Sequence, residues 1–436
     1  MNFCYNKPIM EGLKKVVKKA LPAGARRKVA NWFHFLEAVG ANVRYGFPAR
    51  GMQVVMITGT NGKTTTASFL ASILKEGGRK VGTWTTAYYE VNGQRFANEF
   101  NATNIHPMIL QEKLAEMKKH GTDTLVLEVT SHALEQSRVW GIPCEVAIIT
   151  NLTQDHLDYH GTMEKYAAAK ARLLQKKPRF IVLNHDDEWF NYFDQFPPGE
   201  QSITYGTHVD ADVRLTGAQM HREGSRAEVE VDHQTNLELI VHLPGQFNVY
   251  NAMAASAAAY LLHIDTESIE AGVDALQTVP GRQERIDEGQ PYEVLVDYAH
   301  TPDAMEQLLS SLAQLSSRRL VVVFGATGDR DKGKRPIMGE IVAKYADRIF
   351  VTDEESYTED PASIRKMVLS GIEKAGAEAK TEEIADRRQA IEKALSIARR
   401  GDTVVITGMG HEKFRIIDGR REPWSDGGVV REILEG

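Results

Sequence analysis

Val54-Val55-Met56-Ile57-Thr58-Gly59-Thr60-Asn61-Gly62-Lys63-Thr64-Thr65-Thr66 is the stretch whose reading decides the fold. Val54–Ile57 is an apolar run of strand length that stops at a glycine-bearing turn. Lys63-Thr64-Thr65-Thr66 then opens a helix whose apolar face continues through Phe69, Leu70, Ile73 and Leu74. A strand, a glycine loop and a helix opening on Gly-Lys-Thr make a phosphate cradle. Backbone N–H groups and the helix N-terminus face the anion, Lys63 adds a point charge, and the Thr64 hydroxyl can ligate Mg²⁺. The spacing is Gly-x-x-Gly-Lys-Thr, two residues tighter than the common form. An ordinary strand–turn–helix junction would explain this stretch almost as well if it stood alone.

Composition excludes several classes. The chain has 436 residues, 42% of them hydrophobic and 25% charged, as in soluble globular proteins of two or three domains. A formal net charge of −7 argues against a nucleic-acid binder acting through bulk charge. Its two cysteines, Cys4 and Cys144, supply neither a disulfide framework nor a metal cluster, which fits a reducing cytoplasm. No run reaches the roughly 18 apolar residues of a membrane span, and Glu11 with the lysines that follow rules out a signal peptide.

Residues 1–50 read as a short helical segment. Leu13, Val16, Val17, Ala20 and Leu21 make an apolar face flanked by Lys14, Lys15, Lys18 and Lys19. A solvated helix packed on the body is the first reading of that pattern, and contact with an anionic membrane surface the second. From 51 to 280 strands and helices alternate, predicting a central, mainly parallel α/β domain. Strands are expected at Val54–Ile57, Thr124–Val129, Val146–Thr150 and Phe180–Leu183, and helices at Thr64–Glu76, His106–His120 and Met163–Gln175. Ser202–Leu243 reads as an antiparallel addition, and the alanine-rich helix Asn248–Leu262 as buried. After Val279-Pro280-Gly281-Arg282 a second alternating set spans 281–436, a Rossmann-like α/β domain.

In doubly wound sheets functional side chains gather beyond the carboxyl ends of strands. Glu128 and Ser131-His132 end one such strand, and Asn151 through His160 follow another. Thr64, Glu128 and His156 make a candidate Mg²⁺ set completed by water and phosphate oxygens; a salt-bridged carboxylate and a structural histidine are the plainer alternatives. Lys170 follows Ala167-Ala168-Ala169 on a close-packed helix. It is a solvated lysine, a phosphate contact, or an amine of lowered pKa able to form a carbamate that ligates a second cation. In the second set Asp297 and His300 sit at a strand end, and Gly328-Asp329-Arg330-Asp331-Lys332-Gly333-Lys334-Arg335 and Gly410-His411-Glu412 follow two more strands.

Taken together, Gly59–Thr65, Glu128 with Ser131-His132, Asn151–Gly161, Lys170, Asp297–Pro302, Gly328–Arg335 and Gly410–Glu412 resemble the Mur ligases. The resemblance covers about residues 50–436 and is nearest to the branch that adds the third residue of the peptidoglycan stem peptide. It implies a cytoplasmic, monomeric, ATP- and Mg²⁺-dependent amide ligase that joins an amino acid to a muramoyl-peptide carboxylate through an acyl phosphate. By that resemblance Gly59, Thr60, Asn61, Gly62, Lys63, Thr64 and Thr65 hold phosphate. Thr64, Glu128, His156 and carbamylated Lys170 serve two cations, Asn248 and Asn251 meet adenine, Arg282 reaches phosphate, and Asp297 and His300 serve the ribose side. Thr103, Asn104, Ser131 and Arg138 fall at muramoyl-peptide positions, and Tyr357, Gly410 and Glu412 where the incoming amino acid is held.

Three departures from the family pattern stand out. The family's uridine-diphosphate domain runs to roughly a hundred residues, whereas about fifty precede the loop here, so the acceptor is expected to be held differently, lipid-linked, or supplied by a partner. Glu354-Glu355-Ser356-Tyr357 replaces Asp-Asn-Pro-Arg, whose Arg clamps the distal carboxylate of diaminopimelate; without a bidentate guanidinium, lysine or ornithine is expected instead. Thr103-Asn104 replaces Thr-Thr-Pro or Thr-Pro. A folylpolyglutamate- or cyanophycin-type ligase and a non-catalytic nucleotide-gated module are the alternative readings.

Overall fold

The computed structural model describes residues 23–98, 106–316 and 318–436. The basic helix expected over Leu13–Leu21, and Thr103 and Asn104, lie outside the described residues. The first sheet contains β1 (Gln53–Thr58), β2 (Val81–Trp84), β3 (Tyr88–Val91), β4 (Gln94–Ala97), β5 (Thr124–Glu128), β6 (Val146–Ile149), β7 (Phe180–Asn184), β8 (Gln201–Gly206), β9 (Val213–His221), β10 (Gly224–Val231) and β11 (Thr235–Val241). Their order is β11-β10-β9-β8-β7-β6-β1-β5-β2-β3-β4. From β8 through β1 to β2 the pairing is parallel. The far ends, β9–β11 and β2–β4, are antiparallel meanders.

Side-chain alternation explains the unbroken apolar run of β1. Val55 and Ile57 face one buried cluster with Phe69, Leu70 and Met253, while Val54 and Met56 face another with Leu110, Leu114 and Leu173. The helices Lys63–Glu76, Gln246–Leu261 and Thr266–Asp274 cover the first face, and Pro107–Lys119 and Met163–Ala171 the second. β1 pairs with β5 on one side and β6 on the other, with Ile57 beside Glu128 and Thr58 beside Ile149. The loops that begin at Gly59, Val129 and Thr150 therefore leave the sheet side by side.

The second sheet has β12 (Glu284–Ile286), β13 (Glu293–Asp297), β14 (Leu320–Phe324), β15 (Arg348–Val351), β16 (Thr381–Glu383) and β17 (Thr403–Thr407), in the order β12-β13-β17-β14-β15-β16. All but β12 run parallel, and apolar clusters line both faces. A separate hairpin, β18 (Phe414–Ile417) with β19 (Arg420–Pro423), precedes the closing helix Asp426–Glu435.

Three differences from the sequence reading have physical causes. The helix expected to reach Gln175 ends at Ala171 and passes through a 3-10 turn at Leu174–Lys176, because Lys177 takes a left-handed conformation ahead of Pro178, whose ring disfavours a continuing helix. β8 belongs to the parallel sheet through its register with β7, so only β9–β11 form the antiparallel addition. β2–β4 and the β18–β19 hairpin were not foreseen, since strands of four residues are too short to show a period. No helix among the described residues is long and apolar enough to cross a membrane.

Candidate active site

The phosphate loop is held by the neighbouring strand ends. Thr60 N–H donates to the Asn151 carbonyl at 3.0 Å and Asn61 N–H to Asn151 Oδ1 at 2.8 Å. Gly62 caps the helix Lys63–Glu76 at φ +82° and offers no side-chain cap, so the first-turn N–H groups stay available to an anion. A Cβ at Gly62 would lie 2.2 Å from Asn251 Oδ1, which leaves room for glycine alone. Lys63 folds back over the loop, its Nζ donating to the carbonyls of Gly59 at 3.1 Å and Thr60 at 2.8 Å. Burial lowers its pKa.

Beside the loop, Thr64 Oγ1 donates to Glu128 Oε2 at 2.8 Å and accepts from Arg282 at 3.3 Å. Thr86 fixes the same carboxylate through its N–H (2.9 Å) and hydroxyl (2.8 Å). A hydroxyl and a carboxylate at the mouth of a phosphate loop suit Mg²⁺, which takes one or two protein oxygens and completes its shell with water and phosphate. Among the described residues no three His, Cys, Asp or Glu side chains converge on one point; the donor set is the mixed one of Thr64 and Glu128. His156 lines the same cavity, at φ +55°, with Nε2 3.3 Å from Asp155. No hydrogen bond joins it to Glu128.

Lys170 is not solvated. Its side chain is buried against the Tyr166 ring at 4.4 Å and its Nζ donates to the Gly59 carbonyl at 2.6 Å. Burial, with the neighbouring Lys63 charge, pushes its pKa well below the ordinary lysine value. That is the condition under which an amine can take up CO₂.

The second sheet closes the cavity from the other side. Asn61 Nδ2 donates to Asp303 Oδ2 at 2.6 Å, and Lys334 Nζ meets Asp155 Oδ1 at 3.2 Å with both side chains almost fully buried. Burial alone would raise the Asp155 pKa, yet the Lys334 charge holds the carboxylate well below its usual range. Asn248 and Asn251 bond to each other at 3.2 Å, and Asn248 donates to Gln283 at 3.1 Å. Asp297 accepts backbone N–H groups of Gln283 and Ala299, both at 2.7 Å, and so braces two strand-end loops. His300 bonds through Nδ1 to the Tyr298 carbonyl at 2.6 Å, and burial lowers its pKa to about 4.

A final group lies under the β18–β19 hairpin, which holds Tyr357 through its backbone at both N–H and carbonyl. Tyr357 donates to Glu355 at 3.1 Å, and Glu412 lies 3.5 Å from the Tyr298 hydroxyl. Burial and the Glu355 charge raise the Glu412 pKa to about 8. The Arg330 guanidinium sits 5.2 Å from the Tyr357 ring centre.

One cavity thus gathers Gly59–Thr65, Glu128, Ser131, His156, Lys170, Asn248, Asn251, Arg282, Asp297, His300, Tyr357 and Glu412. Arg138 and Gly410 do not line it. Arg138 donates to Gln136 at 2.7 Å, and Gly410 packs against Tyr298 and the Gly281 carbonyl, where it shapes the loop behind Glu412. Sequence reasoning gave no role to Thr86, Tyr166, Gln283 or Tyr298, which also line the cavity. Tyr298 lay within a quoted motif and could have been found there, whereas Thr86, on an unforeseen strand turn, carried no local signal.

Residues 57–259 match the family model described as the Mur ligase middle domain, and 281–410 the Mur ligase glutamate ligase domain. The UDP-N-acetylmuramoyl-L-alanyl-D-glutamate–2,6-diaminopimelate ligase of Geobacillus kaustophilus is 38% identical over 408 residues, covering 91% of this chain and 82% of that protein. A solved structure of an enzyme with that name is 34% identical, covers 88% of this chain and 78% of the other, and superposes with a TM-score of 0.61. The folylpolyglutamate synthase of Mycobacterium tuberculosis, solved with ADP and AMPPCP, shares the fold at 20% identity, with a TM-score of 0.72 over 92% of this chain and 95% of the other.

Proposed function

This chain belongs to the Mur ligase family, and we propose that it is an ATP-dependent ligase of peptidoglycan precursor synthesis, of the UDP-N-acetylmuramoyl-tripeptide synthetase type. The observation that carries the proposal is the convergence of the phosphate loop, the Thr64–Glu128 pair and the buried Lys170 with strand-end loops of the second sheet on one cavity. Residues 51–280 act as the nucleotide domain, 281–436 as the closing domain and 1–50 as an N-terminal segment, working in the cytoplasm as a monomer.

The muramoyl-peptide carboxylate attacks the γ-phosphorus and ADP leaves. The amine of the amino acid then attacks the acyl carbon, phosphate leaves, and the amine's surplus proton passes to solvent. Two anions must meet, so most of the rate comes from positioning and charge cancellation. Lys63 and the N–H groups after Gly62 hold the transferring phosphate, and Arg282, beside Thr64, holds its far side. Bound Mg²⁺ would supply further cancellation between carboxylate and triphosphate, with Thr64, Glu128 and His156 as the protein groups that would hold it. The neutral Lys170 amine is suited to add CO₂ with release of a proton, and the carbamate oxygens would then hold a second cation. Asn248 and Asn251 lie where adenine would rest, and Asp297 and His300 near the ribose.

For the amino acid we propose a diamino acid, its distal ammonium facing Glu355 and Glu412. Lysine and ornithine are expected because Tyr357 stands where a clamping arginine would be and because the carboxylates of Glu354 and Glu355 suit a cationic side chain. The Arg330 guanidinium, 5.2 Å from the Tyr357 ring centre, supports diaminopimelate as a second candidate beside them. Phosphate release across a grid of amino acids and muramoyl-peptides, with product masses, tests the proposal. A product heavier by one diamino acid residue is expected; ATP binding without ADP release in every mixture would overturn it in favour of a nucleotide-gated module.

A further inference from the structure

Behind the cavity wall runs a chain of contacts that the ligase chemistry does not use. Ser131 lines the cavity, and its Oγ lies 3.0 Å from His160 Nε2. On the other edge of that ring, His160 Nδ1 lies 3.4 Å from Glu135 Oε2, with the His160 side chain 0% and Glu135 12% exposed. Glu135 is gripped in turn by Arg27, from Nε at 2.8 Å and NH2 at 2.5 Å, and Asn31 donates to it at 3.4 Å. Arg27 also donates to the Tyr159 carbonyl at 2.7 Å and stacks over the Tyr159 ring at 4.2 Å. Both Arg27 and Asn31 belong to the helix Ala23–Arg44, so this helix reaches the active cavity through three side chains.

The chemistry of the chain is directional. Burial would raise the Glu135 pKa, but its contacts with His160 and Arg27 bring it down to about 2, so it is an anion and accepts only. The Glu135 carboxylate lies 3.4 Å from Nδ1 without accepting a hydrogen bond from it, yet its charge favours a proton on that nitrogen and leaves Nε2 as an acceptor. The Ser131 hydroxyl proton then points at Nε2, away from the cavity, and only its oxygen lone pairs face the substrate. We infer that Arg27, Glu135 and His160 are positioning residues that commit Ser131 to accepting a hydrogen bond from a donor of the muramoyl-peptide, an amide N–H or a sugar O–H, and bar it from donating to a carboxylate. The identity of that ligand rests on the proposed function; the direction of the hydrogen bonds does not. By this chain of contacts the helix Ala23–Arg44 sets acceptor affinity through Ser131.

The test uses the full-length chain and separate KM values for ATP, amino acid and muramoyl-peptide. His160→Leu and Ser131→Ala should each raise the muramoyl-peptide KM about tenfold, the loss of roughly one hydrogen bond, with kcat and the ATP KM within twofold. The double variant should be no worse than Ser131→Ala, because His160 acts only through Ser131. His160→Gln, whose amide oxygen can accept from Ser131, should recover most of the loss. Losses that multiply in the double variant, or that fall equally on ATP, would mean a merely structural histidine and overturn the inference. Nitrogen-15 NMR of the His160 ring adds a readout that needs no turnover: a proton on Nδ1 that redistributes in Glu135→Leu supports the relay, and one fixed on Nε2 overturns it. A parent chain that makes no amide product would remove the proposed function while leaving that measurement decisive for the relay.

Discussion

Replacing Gly62 by alanine tests the phosphate loop most directly. The residue sits at φ +82°, where a Cβ costs roughly 1–2 kcal/mol. That Cβ would also stand 2.2 Å from Asn251 Oδ1. Asn251 is buried, accepts from Thr66 at 3.3 Å and donates to Asn248 at 3.2 Å. Swinging it aside forfeits both bonds, about 1 kcal/mol each. The sum is about 3–4 kcal/mol, or roughly 6–16 °C in Tm at about 2–4 °C per kcal/mol. Gly51 supplies the control: its φ is +86°, but nothing lies within 4 Å of its added Cβ, so Gly51→Ala carries the backbone strain alone. Thermal melts and calorimetric titration with an ATP analogue should separate the two. Gly62→Ala should melt below Gly51→Ala and lose at least tenfold in nucleotide affinity, and Asn251→Ala in the same background should restore part of the melting temperature. If Gly62→Ala melts with Gly51→Ala and binds nucleotide as the parent does, the close-approach reasoning is wrong.

Lys170→Ala should abolish turnover in a phosphate-release assay while leaving nucleotide affinity within a fewfold, and a short carboxylic acid should restore part of the rate; full parental rate in the variant would remove the carbamate role. Lys334→Met should destabilise by about 3–5 kcal/mol in urea unfolding, because it strands the buried Asp155 carboxylate, and adding Asp155→Asn should recover much of the loss. Asp155 has a depressed pKa in the folded chain, so its contribution is present above the ordinary carboxylate value of about 4 and lost as pH falls through the lower folded value. The acid-unfolding midpoint of Lys334→Met should therefore move to higher pH, and an unchanged midpoint would refute the pairing.

The parallel cores were legible because their strands are buried on both faces and so read as unbroken apolar runs. The expected Val54–Ile57 and Phe180–Leu183 lie within one residue of the bounds of β1 and β7 at each end. The meander β2–β4 was not legible, since its four-residue strands carry charged and polar positions and draw their order from pairing with one another and with β5. Within the site, residues in glycine-punctuated motifs declared themselves, as Gly62 and Lys63 did. Thr86 did not: a lone threonine acquires meaning only when a distant strand end brings Glu128 to it.

Sequence alone determined the alternation of strands and helices, the position of the glycine turn that opens the helix Lys63–Glu76 and the family, because each depends on residues close together in the chain. Tertiary structure decided what meets across long separations. It buried Lys170 over the Gly59 carbonyl, tied Lys334 to Asp155, brought Arg330 to Tyr357, and ran Arg27 through Glu135 and His160 to Ser131. Burial and the partner across the cavity fix a side chain's charge and the direction of its hydrogen bonds, and neither is written in its immediate neighbours.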